Sequence, residues 1–257
     1  MFGFFIKKWF FDFWDNMIKI VLVNLGFIAL LGVAVYVPFL LRFSTVLSMV
    51  SAAVVIVIFN LYVGGAARFV SEIADYNGPG FRDFIEYVKE VWKSTIAISV
   101  ITLLQLFLVV FAMPFYISLG GTMGLIALSI IFWASVVWWL AFQYFFPVRS
   151  RLDTNIKKVF KKSFLLLFDN SMFSLGMAIF TLIVLVLSIF TALLLPGFAS
   201  LLLLHQVGTK LRLYKYDYLE ENPQADRKNI PWDSLLYDEK ERVGHRSLKG
   251  MIFPWKE

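Results

Sequence analysis

The chain has 257 residues, 60% of them hydrophobic and 18% aromatic, with a mean hydropathy of +0.75. Soluble domains are about 45–50% apolar by a similar count, so a soluble fold is excluded, and the absence of cysteine removes disulfides, thiolate metal ligands and cysteine nucleophiles together. The formal charge of +6 sits in clusters beside the apolar runs, which assigns it to an anionic membrane surface and not to nucleic acid.

The opening segment MFGFFIKKWFFDFWDN has no small-residue cleavage site and reads as retained, so the first span acts as an uncleaved anchor. Apolar runs then follow in pairs, most near the roughly 20 residues that a helix needs to cross a bilayer. Spans are expected over residues 20–41 and 46–63, joined by RFST; over 96–117 and 123–146, joined by SLGGT; and over 172–195 and 198–213, parted by Pro196-Gly197. Hydropathy leaves two readings for the last segment: a short sixth span, or the far side of a proline kink in one longer helix. Charge favours six spans. Lys7, Lys8, Arg68, Arg82, Lys89, Lys93, Arg149, Arg151, Lys157, Lys158, Lys161, Lys162, Lys210 and Arg212 then share one side, with Arg42 alone opposite. The expected fold is all-α and polytopic: about six transmembrane helices in three hairpins with interfacial amphipathic helices. A transmembrane domain over 1–213 would precede a cytoplasmic tail over 214–257, both termini lying inside the cell inner membrane.

One phrase recurs: KKWFFDFWDN at 7–16 and KKSFLLLFDN at 161–170, each just before a long apolar run. With Lys93-Ser94 standing before the third span, three similar units emerge, each a basic segment followed by a hairpin. In TNIKKVFKKSFLLLF, Ile156, Val159, Phe160, Phe164 and Leu167 recur at helical spacing, opposite Lys157, Lys158, Lys161 and Lys162. Phe81, Phe84, Ile85, Val88 and Trp92 repeat the design before the third span. Such helices lie in the interface, each lysine near an anionic inner leaflet contributing about 1 kcal/mol. They serve either as topology anchors alone or as a platform for another protein.

Polar residues inside the spans are Asn24, Asn60, Gln105, Gln143, His205 and Gln206. Amides there either hydrogen-bond between helices or line a path for a solute, and no acidic residue lies well inside any span. No phosphate loop, dinucleotide fingerprint, metal motif or nucleophile pattern occurs, so the chain reads as non-enzymatic and without a cofactor. In the tail, NIPWDSLL and MIFPWKE carry Trp232 and Trp255 as docking elements for the protein's own inner surface or for a partner.

Two resemblances add to this reading. SEIADYNGPGFRDF resembles the coupling loop of ABC-transporter permeases, with Glu72, Ala74, Asn77-Gly78 and Phe84 near the matching offsets, although Ile73 and Asn77 depart from that pattern and its closing proline is missing. Over roughly residues 5–215, the first span, FRDFIEYVKEVWKSTIA and especially QYFFPVRSRLDTNIKKVFKKSFLLLFDN resemble the YesL-like family of bacterial membrane proteins, a domain of unknown function. That resemblance implies an accessory role beside carbohydrate ABC importers, with a permease or ATPase as partner, and supplies no catalytic or binding residues. The alternative is an autonomous transporter or channel using the space between the hairpins. Oligomeric state is not legible.

Overall fold

The computed structural model describes residues 1–227, 229–244 and 246. Its elements are α1 (Phe2–Asp15), α2 (Met17–Leu40), α3 (Thr45–Ala74), α4 (Phe84–Phe107), α5 (Met113–Leu119), α6 (Gly121–Arg151), α7 (Ile156–Asp169), α8 (Ser171–Phe190), α9 (Gly197–Glu221), α10 (Trp232–Leu235) and α11 (Tyr237–Val243). Among the described residues there is no strand. Five stretches are long and apolar enough to cross a membrane: Met17–Leu40, Thr45–Ala74, Phe81–Leu119, Gly121–Arg151 and Ser171–Phe190. The chain is an all-α polytopic membrane protein.

The less apolar α9 is the central helix, packed against α1, α2, α3, α6 and α8. Ala199, Leu203, Leu204, Val207 and Leu211 are fully buried along it. Protein surrounds this helix where lipid surrounds its neighbours, so it does not need to be apolar on every face, and hydropathy under-reads it.

Several helix ends differ from expectation. Instead of stopping at 63, α3 runs on to Ala74, because Gly64, Gly65, Ala66, Ala67, Phe69 and Val70 are covered by protein beyond the lipid-facing segment. In the middle unit no separate amphipathic helix forms: α4 passes unbroken through Lys93-Ser94, where Ser94 Oγ accepts from Arg149 Nε at 2.9 Å. Pro114 has no N–H to return to the carbonyl four residues earlier, and the chain widens into a π-helical turn over Leu108–Ala112 before α5. Neither Pro38 nor Pro147 ends its helix. At the other extreme α8 stops at Phe190, and residues 191–196 form a turn into α9.

The repeated phrase has a shared structural basis. Both α1 and α7 contain 14 residues and end on Asp followed by Asn. Asn16 Nδ2 donates back to Asp12 O at 3.1 Å, and Asn170 Nδ2 donates back to Leu166 O at 3.1 Å. The same asparagines offer their own carbonyls to the next helices, Ile20 N to Asn16 O at 3.0 Å and Ser174 N to Asn170 O at 2.8 Å. Each asparagine thus caps the helix that ends and starts the one that follows, so Asp-Asn is a hinge-free joint between an amphipathic helix and a span. The preceding aspartates meet basic residues from the C-terminal third: Asp15 accepts from Arg246 at 2.9 Å, Asp169 from Lys215 at 2.7 Å. With no joint in the middle unit, the phrase has two structural copies.

One part of the bundle stands apart. Between Val100 and Leu140, Gly124 is the single buried residue, so the outer half of the α4–α6 hairpin forms an apolar arm that packs chiefly on itself.

Candidate functional site

Two arrangements bring polar side chains together. The first caps the end of the bundle where the basic residues gather. Lys8, on α1, is fully buried, which the reading of the lysines as surface anchors did not anticipate; at i,i+4 spacing from Asp12 it has a partner on its own helix. Its Nζ lies 2.8 Å from Asp12 Oδ2, 3.2 Å from Glu239 Oε2 and 3.3 Å from Ala74 O. Lys210 Nζ reaches Glu239 Oε1 at 2.7 Å and Asp75 Oδ1 at 3.1 Å, and Arg151 Nη1 holds Asp75 at 2.9 Å. Glu239 also accepts from the hydroxyls of Tyr76 at 2.8 Å and Tyr214 at 2.9 Å. Tyr76 has φ of +62°, an uncommon conformation for a residue with a side chain. That conformation places its ring 3.8 Å from Lys8 Nζ and 5.1 Å from both Lys210 and Arg242, so three cations share one aromatic face or edge. This network ties α1, α6, α9, α11 and the residues just after α3 into one cap. Its central carboxylate is fully engaged, which is the chemistry of a lock and not of a general base.

Burial pushes the Glu239 carboxyl upward, but Lys8, Lys210 and the Tyr76 hydroxyl overcome it and hold the group at about 2. For Asp12 burial wins over Lys8, and the carboxyl is pushed up to about 6. The two act oppositely on stability. Glu239 contributes fully above its ordinary value of 4.5, and that contribution is lost as pH falls towards 2. Asp12 costs stability while ionised, and the cost is relieved as pH falls from 6 towards 3.8. The cap is therefore expected to be tightest between about pH 3.8 and 4.5 and to loosen as pH rises towards 6. Limited proteolysis of the tail across pH 3–8 checks this; protection rising steadily to pH 8 would contradict it.

The second arrangement is a cavity of about 390 Å³ in the middle of the bundle, lined by residues from α2, α3, α4, α6, α8 and α9. Its walls are mostly Phe, Leu and Trp, and among the described residues no Asp, Glu, Lys or Arg lines it. Six side chains carry its polar atoms: Asn60, Thr102, Trp139, Gln143, Thr181 and His205. Asn60 Nδ2 donates to Ile56 O at 3.0 Å and Gln143 Nε2 to Leu140 O at 3.2 Å. Gln143 Oε1 is buried and has no hydrogen-bond partner among the described residues. Thr181 gives its one hydroxyl proton to Met177 O at 2.8 Å, so the 3.1 Å contact with His205 Nε2 is a donation from the ring. That tautomer leaves His205 Nδ1 as an acceptor.

The sequence-predicted residues divide accordingly. Asn60, Gln143 and His205 meet at the cavity; Asn24 and Gln105 do not. Gln105 Oε1 instead accepts from Ser135 Oγ at 3.2 Å, joining α4 to α6. Gln206 Nε2 donates to Ala67 O at 3.1 Å. Asn24, fully buried, organises the turn into α9: Nδ2 donates to Leu194 O at 2.9 Å and Pro196 O at 2.8 Å, and Oδ1 accepts from Ala199 N at 2.8 Å. Gly197 sits beside it at φ of +71°, where an added Cβ would lie 2.2 Å from Asn24 Nδ2. Asn24→Leu should strand these backbone groups, each unsatisfied group costing about 1–3 kcal/mol. A lowered melting temperature in detergent, with the Gln105→Leu variant closer to wild type, is the expected result.

The expected docking residues are partly taken up within the chain. Phe84 is half-buried, its ring 5.0 Å from Tyr62 and 6.2 Å from Phe69. Glu72 pairs with Arg68 one turn earlier on α3. Trp232 packs on the core, with the Arg212 guanidinium 5.1 Å from its ring, and Lys162 pairs with Asp153 at 3.1 Å. Lys157, Lys158 and Lys161 remain exposed, alongside Leu165 and Phe168 on the outer surface of α7. Trp255 lies outside the described residues. Tyr76, Glu239 and Thr181 were not anticipated as parts of either arrangement. For Lys8 with Asp12 the i,i+4 spacing was the available signal; for the other three the sequence offers none.

Compared with family models, with curated proteins and with solved structures, the chain matches none.

Proposed function

We propose that this protein is a non-enzymatic accessory protein of a membrane importer, binding a permease within the bilayer and presenting its basic end to the cytoplasm. The observation that carries the reading is the α4–α6 arm, in which one residue is buried between Val100 and Leu140. Helices associate in a bilayer by close packing, and a hairpin whose outer half is left largely exposed by its own chain offers that surface to the helices of another protein. The gathering of Lys7, Lys8, Arg68, Arg149, Arg151 and Lys210 at one end supports an inside location for that end and for both termini in a bacterial inner membrane. The likeness to the YesL-like family supports a carbohydrate ABC importer as the partner. On the basic end, the outer surface of α7 is the available face for an ATPase or permease loop, because Phe84, Glu72 and Trp232 are engaged internally.

A second reading, autonomous transport, draws on the cavity lined by six helices. Photoreactive residues at Phe115 and Ile130 on the arm and at Lys158 on α7 separate the two in cells. Crosslinks from the arm to permease helices are the expected result. Crosslinks to copies of this chain alone would overturn the accessory reading and favour transport.

A further inference from the structure

We infer that the central cavity is a binding site for an uncharged, hydroxyl-bearing lipid-like molecule that enters sideways from the bilayer. Three features of the cavity carry this. Its size, about 390 Å³, falls within the roughly 300–1,000 Å³ typical of small-molecule sites and exceeds the approximately 150 Å³ that suffices for benzene. It has room for a single chain or ring system and not for a two-chain phospholipid.

The polar chemistry selects the head group. Gln143 is 1% exposed and lines the cavity with Oε1 unpaired, while the Thr181 contact leaves His205 with a free ring acceptor. Two acceptors and no carboxylate call for a neutral donor, and a hydroxyl fits. A carboxylate or phosphate ligand would find no cation on the wall and would face the Gln143 oxygen, leaving a charge desolvated without a partner.

The mouth selects the source. Leu182 on α8 and Trp139 on α6 line the cavity and are also 49% and 37% exposed, each near the middle of a membrane-crossing helix. The opening therefore faces lipid. The proposal does not rest on the accessory reading, since a bound lipid is compatible with either partner binding or transport.

The test uses the full chain in bilayer nanodiscs with a diazirine-bearing long-chain alcohol and the matching fatty acid as probes. The alcohol should label residues on α6, α8 and α9 around Gln143 and His205, and label them several-fold more strongly than the acid. Gln143→Leu should cut that labelling at least fivefold, whereas Gln105→Leu, outside the cavity, should leave it unchanged. Leu202→Trp fills the space without touching the amide and should also abolish labelling, which keeps the test valid if Gln143→Leu folds poorly. Equal labelling by alcohol and acid, labelling confined to the outer lipid-facing surface, or labelling indifferent to both cavity variants would overturn the proposal.

Discussion

Glu239→Ala is expected to free the C-terminal helices from the basic end and to cost about 3–5 kcal/mol, the range for breaking a buried ion pair from one side. The carboxylate is 4% exposed and is the shared partner of Lys8, Lys210, Tyr76 and Tyr214. Its removal leaves Lys8 with Asp12 as its one carboxylate, Lys210 with Asp75, and two tyrosine hydroxyls without their acceptor. In a chain of this size each kcal/mol moves Tm by about 2–4 °C, so the shift is readily seen in detergent. Protease cleavage between α9 and α10 should rise in parallel. Glu239→Gln separates charge from hydrogen bonding, because an amide can still accept from one tyrosine, and should fall between the two. Asp233→Ala, which breaks a surface pair between the fully exposed Asp233 and Lys240, should change neither readout. Equal effects of Glu239→Ala and Asp233→Ala would mean that the cap does not hold the tail.

Gly64→Leu should separate α3 from α4. A Cβ at this position would lie 2.2 Å from Thr95 Cγ2 and 3.0 Å from Val91 Cγ2. Neighbouring Gly65 meets Val88 in the same way, at 2.4 Å. The paired glycines let the two helices run close together through the region where both leave the lipid-facing zone. Overpacking of this kind typically costs about 1–3 kcal/mol, and here a whole isobutyl group must be accommodated against β-branched side chains that rotate little. Reduced detergent stability, relieved in part by Thr95→Ala, is the expected outcome; full stability of Gly64→Leu would show that α4 can move away freely. Gly3→Leu, with nothing near its Cβ, is the matched control.

Hydropathy made the hairpins legible because lipid imposes apolarity wherever it touches a helix, and it under-read α9 for the same reason: protein, not lipid, covers that helix. The Asp-Asn phrase was readable as a repeat, but its role as a joint depends on side-chain geometry that spacing does not show. Lys8 looked like its neighbour Lys7, and only the fold places one inside a cap built from residues more than 200 positions away. Among the span amides, composition could not separate Asn24, which holds a turn, from Asn60 and Gln143, which face a cavity. The difference lies in which way a helix is rotated, and α2, α3 and α6 are apolar nearly all round, so their sequences carry little rotational information. Phe84 illustrates the converse: its helical spacing correctly gave an apolar face, and that face is turned onto α3 instead of outward.

The cap also sets an order of events during synthesis. Asp15 and Arg246 are 231 residues apart, and Lys8 and Glu239 are separated by the same distance. At about 5–20 residues per second, roughly 10–50 s pass between the emergence of the first member of each pair and the second. Throughout that interval the N-terminal helix must wait with its Lys8–Asp12 pair lacking Glu239, while the spans are made one after another. Closure of the basic end is thus the final act of assembly, and a chain truncated before α11 would carry all its membrane helices and yet never seal.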